Sequence, residues 1–285
     1  MKVIIYTIIA LVTLVFGGCS YGSDEVQISD KRDALTIVMP ENPTVRTLLG
    51  EVVDGARMVY WSAGDCIAAN GVTSYEAQID EERLNVATFE FGKELTYPSN
   101  VLYPASFYKD EATITLPKVQ PEAEGTFATN TFPMAAYVAT EASGVAMQHL
   151  ASVIHLQIKD VAGDDAGKHA ALLRVEFRGN NSEAISGDFS VNYADATLLP
   201  AENGTKNLET VVKVGGNLST TEVKDIFVVV PAQPYSRGFT IRVIDKAGHF
   251  MDKKAPAMEL VRGKIYKMPP FEFVPTGSIV VTEIK

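Results

Sequence analysis

Short apolar runs of period two recur along this chain about every ten residues, and no long stretch keeps a 3.6-residue apolar period. The first is Leu35-Thr36-Ile37-Val38-Met39, closed by Pro40 and Pro43. Further runs fall at 57–61, 74–79, 86–91, 112–116 (stopped by Pro117) and 134–139. The segment 150–158 alternates most cleanly: Ser152, Ile154, Leu156 and Ile158 share one side, Val153, His155 and Gln157 the other. The rhythm resumes at 172–177, 185–191, 210–214, 226–230, 239–245 and 265–273. Turns are marked by Asn180-Asn181-Ser182 and Asn203-Gly204-Thr205, residue types that tolerate tight backbone bends. Many short strands separated by such turns predict an all-β sandwich or barrel.

Two segments lie outside this rhythm. Residues 1–18 begin with Met1-Lys2, continue as an almost unbroken apolar run from 3 to 16, and end in Gly17-Gly18 before Cys19. A short positive start, an apolar middle and small residues at the end form a secretory signal, and the run is short for a permanent bilayer span. The small residues before Cys19 resemble a lipobox, with Phe16 in place of the commoner leucine. That resemblance implies cleavage before Cys19 and acylation (palmitate among the chains) of its thiol. Each buried CH₂ contributes roughly 0.8 kcal/mol, so several chains hold a domain firmly on a membrane. Asp24-Glu25 close behind resembles the signal that sends lipoproteins of Bacteroidetes to the outer face of the outer membrane.

The other segment is the end of the chain. After Pro275-Thr276-Gly277-Ser278 comes Ile279-Val280-Val281-Thr282-Glu283-Ile284-Lys285, β-branched at most positions and therefore strand-like. An unpaired strand exposes backbone donors and acceptors. This one must pair within its own domain or with another molecule.

Length now sets the domain count. Roughly 265 residues remain after a signal peptide, which suits two domains of ordinary size. The small, acidic, glycine-rich stretch Val161-Ala162-Gly163-Asp164-Asp165-Ala166-Gly167 has the composition of a linker. The expected organisation is a signal peptide at 1–18 and a lipidated tether at 19–32. Sandwiches follow at 33–162 and 163–275, then a terminal strand at 276–285.

A formal charge of −10 and a pI near 5.0 argue against nucleic acid, whose binding needs clustered Lys and Arg. Of two cysteines, Cys19 goes to lipid, so Cys66 has no intrachain partner and is expected as a buried small hydrophobe. Trp61 reads as a packing residue, Gly64-Asp65 as a turn, and Asp80-Glu81-Glu82-Arg83 as a solvated charge run. His149, His155, His169 and His249 are scattered. His149 and His155 could share a strand face, but no third ligand accompanies them, so no metal site is expected. No nucleophile, metalloprotease or phosphate-loop motif is present, and no enzyme activity or cofactor is expected.

Several pieces occur in a telling order. They are Val45-Arg46-Thr47, then Trp61-Ser62-Ala63-Gly64-Asp65, Leu102-Tyr103-Pro104, Leu116-Pro117-Lys118-Val119-Gln120 and Pro133-Met134-Ala135-Ala136, with Ile185-Ser186-Gly187-Asp188-Phe189 further on. Together they resemble the fimbrillins, the pilus-subunit family of Bacteroidales. The resemblance covers most of 44–160, while the second half matches mainly in rhythm. It implies two transthyretin-like β-sandwich domains in tandem and delivery to the surface as an outer-membrane lipoprotein. A trypsin-like protease would then cut after Arg46, the subunit would join a fimbrium, and the function would be cell adhesion. Cutting would remove the strand Leu35, Thr36, Ile37, Val38 and Met39. Arg32 is a second basic site, but cutting there leaves that strand attached. The donor strand would be Ile279, Val280, Val281, Thr282 and Ile284, entering a neighbouring pilin subunit of the same or another kind. The competing expectation is a monomeric surface lipoprotein that binds glycan or host ligand through its loops. A glycoside-active enzyme would instead require two facing carboxylates in a cleft.

Overall fold

The computed structural model describes residues 33–39, 49–53, 56–141, 144–161 and 170–281, of which 49–59 are described by backbone alone. Among these residues the chain is all-β, interrupted by one 3-10 turn at Ala105–Phe107. The strands that carry the architecture are β1 (Ala34–Val38), β2 (Val86–Glu90), β3 (Ser99–Tyr103), β4 (Thr113–Leu116) and β5 (Val119–Ala123). They continue as β6 (Met134–Val138), β7 (Val145–Ala146), β8 (Ala151–Asp160), β9 (Leu172–Gly179), β10 (Ser186–Asn192) and β11 (Glu209–Lys213). The last are β12 (Lys224–Pro231), β13 (Phe239–Asp245), β14 (His249–Ala255), β15 (Ile265–Lys267), β16 (Phe271–Phe273) and β17 (Gly277–Ser278).

Side-chain alternation explains how these strands stack. One sheet runs β7-β1-β2 and ends at Gln78–Ile79. A second runs from Gln148–His149 through β6 and β3 to Ala68–Ala69 and Val72–Thr73. Leu35, Ile37 and Phe89 of the first meet Val101, Tyr103, Met134 and Ala136 of the second in one core, closed by Trp61 and Phe132. The opposite face of the second sheet is buried too. Leu102 and Ala135 point into a smaller core with Ile114, Phe189 and Val191 of a third sheet built on β4 and β10.

The sheet β12-β8-β15, with β16 also on β8, is covered on both faces. Val153, Phe227 and Val229 enter the first core, whereas Ile154, Leu156, Ile158, Ile226 and Val228 enter another. That core is closed by Val175, Phe177, Val212, Ile241, Val243 and Met251, from a sheet running β5-β11-β9-β13-β14-β17. Three sheets thus combine strands from both sides of residue 162. β4 pairs β10, β5 runs parallel to β11, and β8 pairs β12, β15 and β16.

Local chemistry departs from the sequence expectations at three places. The run 74–79 keeps only Gln78–Ile79 as strand, because the Ser74 hydroxyl accepts the Ile67 N–H at 3.0 Å and the Ala77 N–H is taken by the Asp65 carbonyl. Cys66 is half-buried rather than buried, and partial burial, then Glu76 and Asp65, raise its thiol pKa. At the end of the chain the strand is Gly277–Ser278, and residues 279–281 continue without strand structure.

Candidate strand-exchange site

β1 begins the described part of the first core. Its alternation, carried one residue further to Met39, buries Leu35, Ile37 and Met39 fully, while Thr36 and Val38 are half-buried. Antiparallel to β2, it pairs over five residues, from Ala34 with Glu90 to Val38 with Val86. The Met39 N–H reaches the Asn85 carbonyl at 2.8 Å, extending this ladder by one bond. On its other edge β1 runs parallel to β7, with Ile37 beside Val145 and Val38 beside Ala146. The Thr36 and Thr88 hydroxyls lie 3.2 Å apart across the β1–β2 pair. Asp33 fixes the start of the strand by accepting the Leu95 N–H at 2.7 Å. β1 is therefore an inner strand, flanked on both edges, with three side chains filling the core. Burying them contributes roughly 4–9 kcal/mol gross, an upper estimate because unfolded chains already hide some apolar surface.

The C-terminal run starts at the rim of the sheet that ends in β14. β17 pairs only the first two residues of β14, His249 with Ser278 and Phe250 with Gly277. Bonds from Thr276 N–H to the Phe250 carbonyl and from Ile279 N–H to the Gly248 carbonyl, both 2.8 Å, bracket the pair. Gly248 at φ +87° and Gly277 permit this close approach. A Cβ at Gly248 would stand 2.2 Å from the Ile279 carbonyl oxygen, and one at Gly277 would stand 2.7 Å from the Phe250 ring. Arg242 lies over that ring at 4.2 Å and is held by two hydrogen bonds to Asp252. Beyond the anchor the chain is open: Val280 is 89% exposed, with Ile279 and Val281 half-buried. Cys19, Arg46, Thr282 and Ile284 lie outside the described residues.

The ordered motifs converge on hydrogen bonds inside the fold. Tyr103 donates from its hydroxyl to Asp65 Oδ1 at 2.7 Å, and Asp65 Oδ2 accepts the Ser62 N–H at 2.7 Å. Trp61 packs edge-on against Tyr103, with ring centroids 5.3 Å apart. Burial raises the Asp65 pKa against the pull of these two bonds. The glutamine of the L-P-x-x-Q piece is equally specific. Gln120 donates to the Val229 carbonyl at 2.7 Å and to Thr210 Oγ1 at 3.0 Å, and it accepts the Val229 N–H at 3.0 Å. It thereby ties β5 to the backbone of β12 across the molecule. Asp188 binds Lys109 at 2.7 Å, the Thr115 hydroxyl at 2.6 Å and the Thr205 N–H at 2.8 Å. These contacts, the lysine first, lower its pKa to about 2.

The histidines separate. His155 stacks on Phe227 at 4.3 Å and bonds Asp225 at 2.6 Å, whereas His149 packs on Phe132 at 4.8 Å. Among the described residues no group of three His, Cys, Asp or Glu side chains is arranged to hold a metal. Asp80 binds its own turn, accepting from the Glu82 and Arg83 backbone and from the Arg83 guanidinium. The signal for Gln120 was in the sequence as a motif residue, but its role was not, because its partners lie about a hundred positions away.

No protein-family profile matches the chain, and no curated relative matches it. Solved structures do resemble it. A proposed cell adhesion protein from Bacteroides ovatus is 13% identical over 88% of this chain and 99% of its own, with a TM-score of 0.48. One from Bacteroides uniformis is 14% identical over 86% and 94%, with a TM-score of 0.46. The tip fimbrial protein of Porphyromonas gingivalis, C-terminally truncated, is 10% identical over 86% and 97%, with a TM-score of 0.35.

Proposed function

We propose that the chain is a subunit of a bacterial surface fimbria serving adhesion. It is exported as an outer-membrane lipoprotein anchored through Cys19, trimmed after Arg46 by a trypsin-like protease, and polymerised by strand exchange. In this reading the two larger cores are those of two transthyretin-like sandwiches that share β8. β1 is the strand that leaves, and the run from Ile279 onward is the strand that enters a neighbour.

The observation that carries the reading is the position of β1. It is an inner strand with three core side chains, so its removal would leave a groove between β2 and β7 that needs a replacement. Strand addition is an established recognition mode, with backbone bonds for affinity and alternate side chains for register. About six new hydrogen bonds at roughly 0.5–1.5 kcal/mol and three buried side chains at roughly 1.5–3 each give a gross gain of roughly 8–18 kcal/mol. Association and ordering cost roughly 4–15 kcal/mol, so an incoming strand alone is marginal. The tethered β1 competes at high effective concentration and wins until it is cut free. Cleavage is then the switch.

The test uses purified mature protein, concentrated after trimming with trypsin. SDS-resistant ladders are expected, and deletion of residues 276–285 should abolish them while the monomer stays folded. N-terminal sequencing of surface material should then read from Thr47. Absence of ladders under both conditions, with a lipid-blocked start at Cys19, would favour a monomeric surface lipoprotein that binds glycan or a host ligand.

A further inference from the structure

One strand wall of the β1 groove contains a side chain that the packing does not explain. Residues 145–149 form a strand that changes sheets. Val145 and Ala146 pair β1, and the Met147 N–H reaches the Val38 carbonyl at 3.4 Å. Gln148 and His149 then pair Ala135 and Met134 of β6. Burial alternates through the whole segment: Val145, Met147 and His149 are inward, Ala146 and Gln148 outward. An apolar residue is expected at the third inward position. His149 occupies it, buried, with neither ring nitrogen hydrogen-bonded.

Its surroundings leave little room to relax. Phe132 covers the ring, and Gly263 lies so close that a Cβ there would stand 2.8 Å from His149 Cδ2. The charged group that acts on it is Arg262, whose guanidinium is held by the Asp195 and Ala196 carbonyls. No carboxylate is among the groups that shift it. A neutral imidazole tolerates this site, but an imidazolium would be a buried, unpaired cation beside another cation.

We infer that His149 is an acid release for the groove wall: its protonation expels the ring, frees residues 145–149 from β1 and β6, and uncovers the parallel edge of β1. The device rests on the strand-exchange reading. It gives the exchange a second control, with mild acidity loosening one wall before or together with proteolysis.

Burial, with a smaller contribution from Arg262, lowers the His149 pKa to about 3, against 6.5 for a free imidazole. The population with the wall open should therefore rise about 30-fold between pH 8 and pH 5. Hydrogen exchange on the full-length chain, corrected for the intrinsic pH dependence of exchange, reads this at the amides of Met147 and Leu150. Their protection should fall by about that factor, while amides in β13 stay unchanged. The variants H149F and H149M should remove the pH dependence at Met147, the second serving if the larger ring does not fit. NMR of the native imidazole provides a check that needs no variant. Titration near pH 6.5 with unchanged protection, or an equal loss of protection in both variants, overturns the inference. A labelled peptide of residues 277–285 separates the two readings. With the peptide added to protein trimmed by trypsin, so that no tethered β1 competes, wall release at pH 5 without peptide entry keeps the acid release and removes strand exchange, and peptide entry without wall release does the reverse.

Discussion

The Tyr103 hydroxyl donates to Asp65 Oδ1 at 2.7 Å, joining two sequence pieces thirty-eight positions apart in the floor of the first core. The bond fixes the turn at Gly64, because the other carboxylate oxygen holds the Ser62 N–H. Removing the donor leaves a buried carboxylate with one partner fewer, at a cost of about 1–3 kcal/mol. Y103F should lower the urea midpoint accordingly, with no change in the slope of the transition. Y103A adds the loss of a buried ring that packs on Trp61 and should cost about 3–5 kcal/mol.

How this bond looks from the sequence shows what a linear reading can reach. Trp61, Asp65 and Tyr103 stood out as ordered motif residues, and the strands β1 and β8 were plain from their alternation. β3 was not. Ser99-Asn100-Val101-Leu102-Tyr103 sits in a sheet buried on both faces, so Leu102 serves one core while Val101 and Tyr103 serve another. Double burial erases the contrast of inside and outside on which period-two reading depends. Pairing was equally hidden. Alternation tells which face a residue takes but not which strand lies beside it, so β5 beside β11 could not be anticipated. The terminal run looked like a strand from its β-branched residues, yet the paired residues are Gly277 and Ser278, selected by close approach to Phe250 rather than by propensity.

Gln120 closes a three-bond hook on Val229 and Thr210. Q120L keeps the volume but leaves the Val229 N–H and carbonyl buried without partners. Its expected cost is about 2–4 kcal/mol, read as a lower midpoint in equilibrium unfolding. Q120E should be comparably harmful, since a carboxylate cannot donate to the Val229 carbonyl.

Asp188 sets an acid limit on stability. Its folded pKa of about 2 lies below the 3.8 of an ordinary aspartate, with the Lys109 hydrogen bond as the first cause. The unfolded chain therefore binds the proton more readily, and the contribution is complete above pH 3.8 and lost as pH falls toward 2. D188N should flatten the acid limb of stability against pH in that window while lowering stability at pH 7. An unchanged limb would show that other carboxylates set it.

The root of the tail should respond to its two glycines. G248A puts a side chain at φ +87° and against the Ile279 carbonyl, and G277A drives a methyl into the Phe250 ring. Backbone strain at Gly248 and overpacking at Gly277 each cost about 1–3 kcal/mol. Since β17 is held by few bonds, the relief should come by release of the tail rather than by unfolding of the sheet. The Ile279 amide should lose its protection in either variant while the amides of β13 keep theirs.

β1 offers the most direct handle on exchange itself. If cleavage acts by removing a tethered competitor, then weakening that competitor should substitute in part for cleavage. Ile37 is fully buried in the first core and pairs Ala87 on one edge and Val145 on the other. I37A should cost about 2–4 kcal/mol of the hold on β1, which raises the fraction of open grooves about 30-fold or more. Concentrated, untrimmed I37A protein should therefore form the SDS-resistant ladders that are expected of the parent chain only after trypsin. The doubly altered chain, I37A without residues 276–285, should form none. Ladders that appear only after trypsin in both proteins would mean that the cut does more than free the strand, for instance by letting residues 33–46 clear the path of the incoming one.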